Sequence, residues 1–302
     1  MTVVIATYNR PEPLRVALAA VLAQDVTGPI EIVVVHDQTE PDESLCGLAE
    51  GSFAGPRTIR VISNDRTPGL AGARNTGILA ATGDWVGFCD DDDEWLPHKL
   101  STQFRALEAR PNDVCVSGVT IVYGDHRTDR IPDESEITTT VLAERRVTAA
   151  HPSTVIVRRS ALLDGIGLVD EEIPGSYGED YDWLMRAARH GPVTVAPAAL
   201  VVVYWGQSLF SNRWQTIIEA IDYLMAKHPE FSSSRRGQSQ LIGRRAFCEA
   251  ALGRGSDARR DAVRSIRLRW REPRGYIALL VSTRLLSAQR VMDLAHRRGK
   301  GI

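Results

Sequence analysis

The chain has 302 residues, 43% of them hydrophobic and 25% charged, with a formal net charge of −2, values of an ordinary soluble globular protein with one large or two modest domains. The four scattered cysteines exclude a disulfide framework and a cysteine zinc site. No signal peptide precedes the first strand and no apolar stretch could span a bilayer, so we expect a cytoplasmic protein with reduced thiols.

Charge is distributed unevenly along the chain. Residues 235–302 carry 17 Lys and Arg against 5 Asp and Glu, a net charge of +12, so the first 234 residues carry −14. A basic tail of this kind could contact anionic lipid, a polyanionic partner or the acidic body of its own protein.

The first third of the chain alternates apolar runs with helical patterns. Strands are predicted over 2–6, 30–35 and 58–63, with helices over 12–24 and in part of 42–55. Strand-helix-strand units imply a parallel sheet, which binds ligands at the carboxyl ends of its strands. Asp37 follows the second strand, at such an end.

A glycine-containing loop over 64–77 then leads into a helix that ends near Thr82-Gly83. Backbone N–H groups and Arg74 would face an anion at this helix start. Such loops are common, so an ordinary solvated arginine is the alternative interpretation.

The next apolar run, Trp85 to Cys89, predicts a buried strand that ends in the four aspartates Asp90 to Asp93. Adjacent carboxylates repel one another unless a cation compensates, and crowded oxygen ligands suit Mg²⁺ or Mn²⁺. The alternative is an acidic surface turn that caps the following helix.

The rest of the chain changes from mixed to helical. We predict a helix over 97–109, strands over 114–123, 154–157 and within 193–205, an exposed loop over 124–135, and helices over 214–227, 239–252, 257–270 and 274–298. We therefore expect two domains, 1–212 and 213–302.

A second acidic cluster, Glu179 and Asp180, lies where a loop passes into an amphipathic helix. A carboxylate there could act as a general base, although helix capping explains the same pattern.

Taken together, five motifs resemble the family 2 glycosyltransferases, inverting nucleotide-sugar enzymes with the GT-A fold. They are Val-Val-Ile-Ala-Thr-Tyr-Asn-Arg-Pro at 3–11, Ile-Val-Val-Val-His-Asp at 32–37, Gly-Ala-Arg-Asn-Thr-Gly at 72–77, Gly-Asp-Trp-Val-Gly-Phe-Cys-Asp-Asp-Asp-Asp-Glu-Trp-Leu-Pro at 83–97 and Gly-Glu-Asp-Tyr-Asp-Trp at 178–183. The resemblance covers about residues 1–212. It implies an α/β fold, with a Rossmann-like, mixed and mostly parallel sheet flanked by helices, followed by a helical C-terminal extension.

The resemblance also implies roles for matching residues. The predicted nucleotide-binding residues are Thr7, Tyr8, Arg10, Asp37, Arg74, Asp90 and Asp91, with Tyr8 able to stack on the base and Arg74 near the phosphates. Asp92 would bind the metal, Mn²⁺ or Mg²⁺, with Asp90 as a further ligand or ribose contact. Asp180 would be the catalytic base, and Glu179 would position the acceptor.

The activity implied is hexosyl transfer from a UDP-sugar, or another nucleotide sugar, to a hydroxyl of a carbohydrate, a lipid-linked saccharide or a small molecule. No nucleic acid partner is expected. The C-terminal helices could pack on the catalytic body, form a homodimer or touch the inner face of the cell membrane.

The family pattern has one departure here, because its frequent histidine after the last strand is missing from Tyr204 to Ser208. The lone His151 is more often structural than catalytic. Two other functions remain open: a nucleotidyltransferase, although Thr7 to Pro11 lacks the expected glycine pattern, and a non-catalytic scaffold.

Overall fold

A computed structural model describes residues 1–205 and 213–297, with side chains up to residue 292. The described chain contains a nine-stranded mixed sheet flanked by helices and a helical C-terminal region, as the sequence predicts. It divides into two compact units, one formed by 1–138, 147–171 and 179–204, the other by 139–146, 172–178 and the described residues of 205–302. The proposed boundary at residue 212 stays a prediction.

The sheet belongs to the first unit. Its strands are β1 Thr2–Thr7, β2 Ile30–His36, β3 Arg57–Ser63, β4 Trp85–Phe88, β5 Asp93–Trp95, β6 Val114–Tyr123, β7 His126–Arg130, β8 Ile156–Arg158 and β9 Val193–Tyr204. Their order is β3-β2-β1-β4-β8-β6-β9-β5, with β7 paired to β6. The β3-β2-β1-β4 half is parallel, whereas β8 runs antiparallel to β4 and β6. The carboxyl ends of β1, β2 and β4 therefore share one edge.

Apolar, β-branched residues fix this central part of the sheet. Val4 lies opposite Val33 on one side and Phe88 on the other, and residues 32–35 of β2 are fully buried. Gly77 packs against these strands so closely that an added Cβ would lie 2.3 Å from Val4 Cγ1. The helix carrying Arg74 is thereby held against β1 and β2.

Helices of the first unit cover this sheet. They are α1 Pro11–Leu22, α2 Leu70–Ala80, α3 Lys99–Ala109, α5 Arg159–Ala161 and α6 Glu179–His190. The buried residues of α1, including Leu14, Leu18 and Val21, recur at helical spacing, and Pro11 occupies the first turn, where its missing N–H costs nothing.

The second unit contains α4 Thr139–Glu144, α7 Trp214–Lys227, α8 Glu230–Ser233, α9 Arg235–Ala251, α10 Gly255–Leu268, α11 Pro273–Ser282 and α12 Ala288–Arg297. Its core is rich in alanine, with Ala246, Ala262 and Ala278 fully buried, and Phe247 meets Trp214 edge to face at 5.7 Å between ring centroids. Among the helices of residues 1–205 and 213–297, none is long and apolar enough to cross a bilayer.

Three element predictions were wrong. The loop expected at 124–135 contains β7, whose residues are polar on both faces and so lack the alternation that marks a strand. The strand expected at 154–157 begins later, as β8, after a 3-10 turn over Pro152–Thr154. The helix expected at 274–298 is interrupted after Ser282, where Arg284 adopts a left-handed φ of 62° and its N–H bonds to Val281 O.

Candidate active site

The four aspartates leave β4 in a turn at the shared strand edge. The Cys89 N–H bonds to Val4 O, and the Asp93 N–H bonds back to Asp90 O at 3.1 Å. The turn separates the side chains, because Asp91 and Asp93 are buried whereas Asp90 is half-buried and Asp92 is exposed. The run is therefore not a simple solvated face.

Arg10 connects two of these carboxylates. Its Nη1 atom lies 3.0 Å from Asp91 Oδ1 and 2.6 Å from Asp92 Oδ2. Thr7 Oγ1 donates to the other oxygen of Asp91 at 2.8 Å. Burial raises the pKa of Asp91 to about 6, although Thr7 and Arg10 act in the opposite direction.

Arg74, on α2, lies between the two acidic segments of the site. Its Nη2 atom donates to Asp90 Oδ1 at 2.5 Å, and its Nη1 atom donates to Glu179 Oε1. Burial acts to lower the pKa of Arg74, but Glu179 and Asp90 raise it above its ordinary value. Glu179 is only 4% exposed, and this burial raises its pKa to about 7 in spite of Arg74. One buried cation thus joins the two acidic segments.

Asp180, next to Glu179 in the first turn of α6, is half-buried. Its charge raises the pKa of Arg74, Glu179 and His151, which places it within electrostatic reach of all three. It also lines a small, largely apolar cavity whose wall includes Phe88, Trp183 and the Arg74–Glu179 pair. Two carboxylate clusters about ninety residues apart in sequence therefore meet at one place.

Asp90, Asp93 and His151 could hold a metal ion, since one ligand atom from each lies within 4.8 Å of the others. His151 Nδ1 is 3.3 Å from Asp93 Oδ2, and His151 Nε2 is 4.0 Å from Asp90 Oδ2. Ser153 Oγ donates to Asp93 at 2.5 Å and accepts the Asp90 N–H at 3.0 Å. Two carboxylates and one imidazole form a donor set that suits a divalent ion.

A proton competes with a metal ion for the His151 imidazole. Burial lowers the pKa of His151, but the hydrogen bond and charge of Asp93, with Asp90, raise it to about 9. Burial raises the pKa of Asp93, and His151 opposes that shift. Metal binding to His151 would thus release a proton at neutral pH.

Two further predicted nucleotide-binding residues, Asp37 and Tyr8, follow the strands β2 and β1 at the same strand edge. Asp37 is buried, accepts from Asn64 Nδ2 at 2.8 Å and from the Gly69 N–H at 2.9 Å, and so holds the loop before α2. Gly69 has a φ of 117°, a conformation that favours glycine. Tyr8 is 59% exposed. The structure thus places the ends of β1 and β2 side by side, with the Asp37 N–H bonded to Thr7 O and the Asp37 carboxylate bonded to the loop before α2.

Some contacts left no signal in the sequence. Ser153 belongs to none of the five sequence motifs, and its hydrogen bonds with Asp90 and Asp93 form only because the fold brings these residues together. Glu171 accepts from Arg66 Nε and Asn75 Nδ2, both at 2.6 Å, and the hydrogen bonds of Thr67, Asn75 and Arg66 outweigh burial and lower its pKa to about 2. Tyr204 donates to Glu94 at 2.6 Å. Of the segment 204–208, where the family histidine was expected, residues 206–208 lie outside the described residues.

Comparison with known proteins relates this site to one family. The sequence profile described as "Glycosyl transferase family 2" matches residues 2–164. The chain is 35% identical over 138 residues to the succinoglycan biosynthesis protein ExoO of Rhizobium meliloti, covering 45% of this chain and 38% of ExoO. It is 28% identical over 205 residues to the glycosyltransferase YwdF of Bacillus subtilis, covering 67% of this chain and 73% of YwdF. The chain thus spans less than half of ExoO.

Solved structures share the fold. TarS residues 1–349 of S. aureus superimposes with a TM-score of 0.58 at 17% identity, over 99% of this chain and 91% of that one. The same TarS fragment in complex with UDP-GlcNAc gives a TM-score of 0.56 at 17% identity, over 99% and 92% of the two chains. The predicted GT-A architecture is confirmed.

Proposed function

The chain belongs to glycosyl transferase family 2, and we propose that it moves a hexosyl group, with inversion, from a UDP-sugar to an acceptor hydroxyl. The acceptor would be a glycan, a lipid-linked saccharide or a small natural product. The observation that carries this proposal is the meeting of Asp180 with Asp90 around Arg74. An acid–base group and a nucleotide-binding acidic turn are the two components that a single displacement needs.

Asp180 is the proposed base. Its carboxylate would accept the proton of the acceptor hydroxyl as that oxygen attacks the anomeric carbon from the face opposite the nucleotide. Glu179, buried against Arg74, would hold the start of α6 in place and so position Asp180. Because the displacement has no covalent intermediate, no nucleophile from the chain is required.

The strand tips would hold the donor. The exposed ring of Tyr8 offers a face on which a base can stack. The Asp37 carboxylate accepts from Asn64, Gly69 and Gln38, which leaves one lone pair that could accept from the base. Thr7 and Arg10 would fix Asp91 and Asp92 beside the diphosphate. Arg74 would hold Asp90 toward the ribose and add positive charge near the leaving group.

A divalent ion fits the acidic turn, because its donors are carboxylate oxygens with one imidazole close by. We propose Mn²⁺ or Mg²⁺ with Asp92 and Asp90 as ligands, and the alternative ligand set is Asp90, Asp93 and His151. Bound there, the ion would neutralise charge on the leaving diphosphate. The ion pair between Arg10 and Asp92 would have to break for Asp92 to bind the ion.

Nucleotide sugars offer a direct test. We expect a UDP-sugar to raise the melting temperature with Mn²⁺ present and much less without it, whereas dTDP- and GDP-sugars at the same concentration shift it less. A ligand at a hundred times its Kd adds about 2.7 kcal/mol to the free energy of unfolding. If no nucleotide sugar shifts the melting temperature with either ion, the proposed donor site is wrong.

A cytoplasmic location and a homodimer through the C-terminal helices also remain proposals.

A further inference from the structure

The solvent face of α10 is strongly basic. Its exposed residues include Arg259, Arg260, Val263, Arg264 and Arg267, which recur at helical spacing and share one face. The opposite face, with Ala258, Asp261, Ala262 and Ser265, is buried in the second unit. From residue 259 to 267 the helix rises about 12 Å, so the four arginines form a short strip along one face of the helix, which we call the α10 strip.

The charge of this strip is mostly uncompensated. Arg260 bonds to Asp257 at 2.9 Å and approaches Asp261 at 3.5 Å. The guanidinium groups of Arg259, Arg264 and Arg267 have no hydrogen bond or ion pair with residues 1–205 or 213–292. Like charges three and four residues apart destabilise a helix, so the arrangement costs stability unless an anionic surface meets it.

Apolar side chains accompany the arginines. Val263 is 39% exposed in the middle of the strip, and Trp270, two residues beyond the end of α10, is 66% exposed. Arg271 Cζ lies 4.6 Å from the centroid of the Trp270 ring, and Tyr276 donates to Trp270 O at 2.8 Å. The indole combines an apolar body with a polar N–H, which suits the boundary between head groups and acyl chains.

We propose that the α10 strip, together with Trp270, docks on an anionic lipid surface. Arginines on one helix face reach lipid phosphates while Val263 and Trp270 enter the apolar layer beneath them. A nucleic acid offers phosphates but no apolar layer for the exposed valine, so lipid fits the strip better. This inference is independent of the proposed sugar donor and acceptor.

Vesicle sedimentation tests the proposal on the full chain. Vesicles of phosphatidylcholine and phosphatidylglycerol at two to one should bind the protein at about 0.1 M salt, less at higher salt, and pure phosphatidylcholine should not. At about 1 kcal/mol per cation near the surface, Arg264→Gln with Arg267→Gln should weaken partitioning roughly 30-fold. Trp270→Ala should weaken the binding that persists at high salt.

A matched variant controls for net charge. Arg105→Gln with Arg127→Gln removes two exposed arginines from α3 and β7 in the first unit and should leave partitioning within about two-fold of wild type. An unchanged melting temperature shows that each variant is folded. The proposal fails if both pairs weaken binding equally, if vesicles are not bound, if an RNA duplex binds and vesicles do not, or if the strip mediates self-association of the chain instead.

Discussion

Arg74 Nη2 lies 2.5 Å from Asp90 Oδ1, which joins the first turns of α2 to the acidic end of β4. The same guanidinium donates through Nη1 to Glu179 on α6. Arg74 and Glu179 are both buried, so neither charge can be solvated by bulk water if the other is removed. Arg74 thus holds the two acidic segments of the site together, and it is also a candidate contact for the nucleotide-sugar donor.

Replacing Arg74 tests this relationship. We expect Arg74→Met to lower the free energy of unfolding by about 3 kcal/mol at pH 8, because breaking a buried pair leaves an uncompensated carboxylate. The loss should shrink at pH 6, where Glu179, whose pKa is already raised by burial, takes up a proton. Urea denaturation at the two pH values measures both effects.

The double variant Arg74→Met with Glu179→Gln is the control for lost packing. With both charges gone, it should be more stable than Arg74→Met alone, and its coupling energy should be favourable. If the double variant is as unstable as the single one at pH 8, the destabilisation comes from packing and not from the stranded Glu179.

Asp180→Asn should reduce sugar transfer by about 10² to 10⁴-fold, the usual contribution of a positioned base, while UDP affinity changes little. The amide keeps the shape of the carboxylate and loses its basicity. Product formation and calorimetric titration with UDP separate the two effects. A variant with near-normal turnover would show that Asp180 is not the base, and a wild-type chain that binds UDP-sugars without transferring them would favour the scaffold alternative.

The acidic turn offers two competing metal sets, and single variants distinguish them. If Asp92 is a ligand, Asp92→Ala should weaken Mn²⁺-dependent UDP binding at least about tenfold, which is 1.4 kcal/mol, whereas His151→Asn should change it little. The opposite ranking would assign the ion to Asp90, Asp93 and His151. UDP titrations with EDTA in place of Mn²⁺ give the metal-independent baseline for each variant.

Much of the first unit follows from local sequence. The buried runs of β1 and β2 and the helical spacing of Leu14, Leu18 and Val21 in α1 specify those elements directly. By contrast, β7 was missed because its five residues are polar and lie on an edge. The break after Ser282 was missed because Arg284, and not glycine, supplies the left-handed residue.

The sequence predicts which residues of the site lie at the strand ends, but it does not predict which side chains pair with one another. Parallel strands place Thr7, Asp37 and Asp90 at one edge whatever the loops do. The contacts of Arg74 with Glu179 and of Ser153 with Asp93 join residues many positions apart through packing, and no local pattern encodes such a distance. The sequence therefore indicated which residues gather there, while their pairing came from the fold.

A buried lysine gives the clearest pH dependence. Lys99, at the start of α3, is fully buried, donates to Gln103 Oε1 at 2.6 Å and lies 3.7 Å from the centroid of the Trp95 ring. No carboxylate forms an ion pair with it in the described part of the chain, and burial lowers its pKa to about 7. The unfolded chain therefore binds more protons than the folded one between pH 7 and about 10.4, so this residue makes stability rise with pH in that window.

Lys99→Met should remove this dependence. Wild type should gain about 2 kcal/mol relative to the variant between pH 7 and pH 9, because the slope approaches 1.4 kcal/mol per pH unit only once the folded-state lysine has lost its proton. The hydrogen bond lost by Gln103 adds a constant offset at both pH values. Urea denaturation of both proteins across this range measures the difference, in which the titration of the cysteines and tyrosines largely cancels. Parallel stability curves would mean that Lys99 stays charged in the folded protein and that its contact with the Trp95 ring compensates for burial.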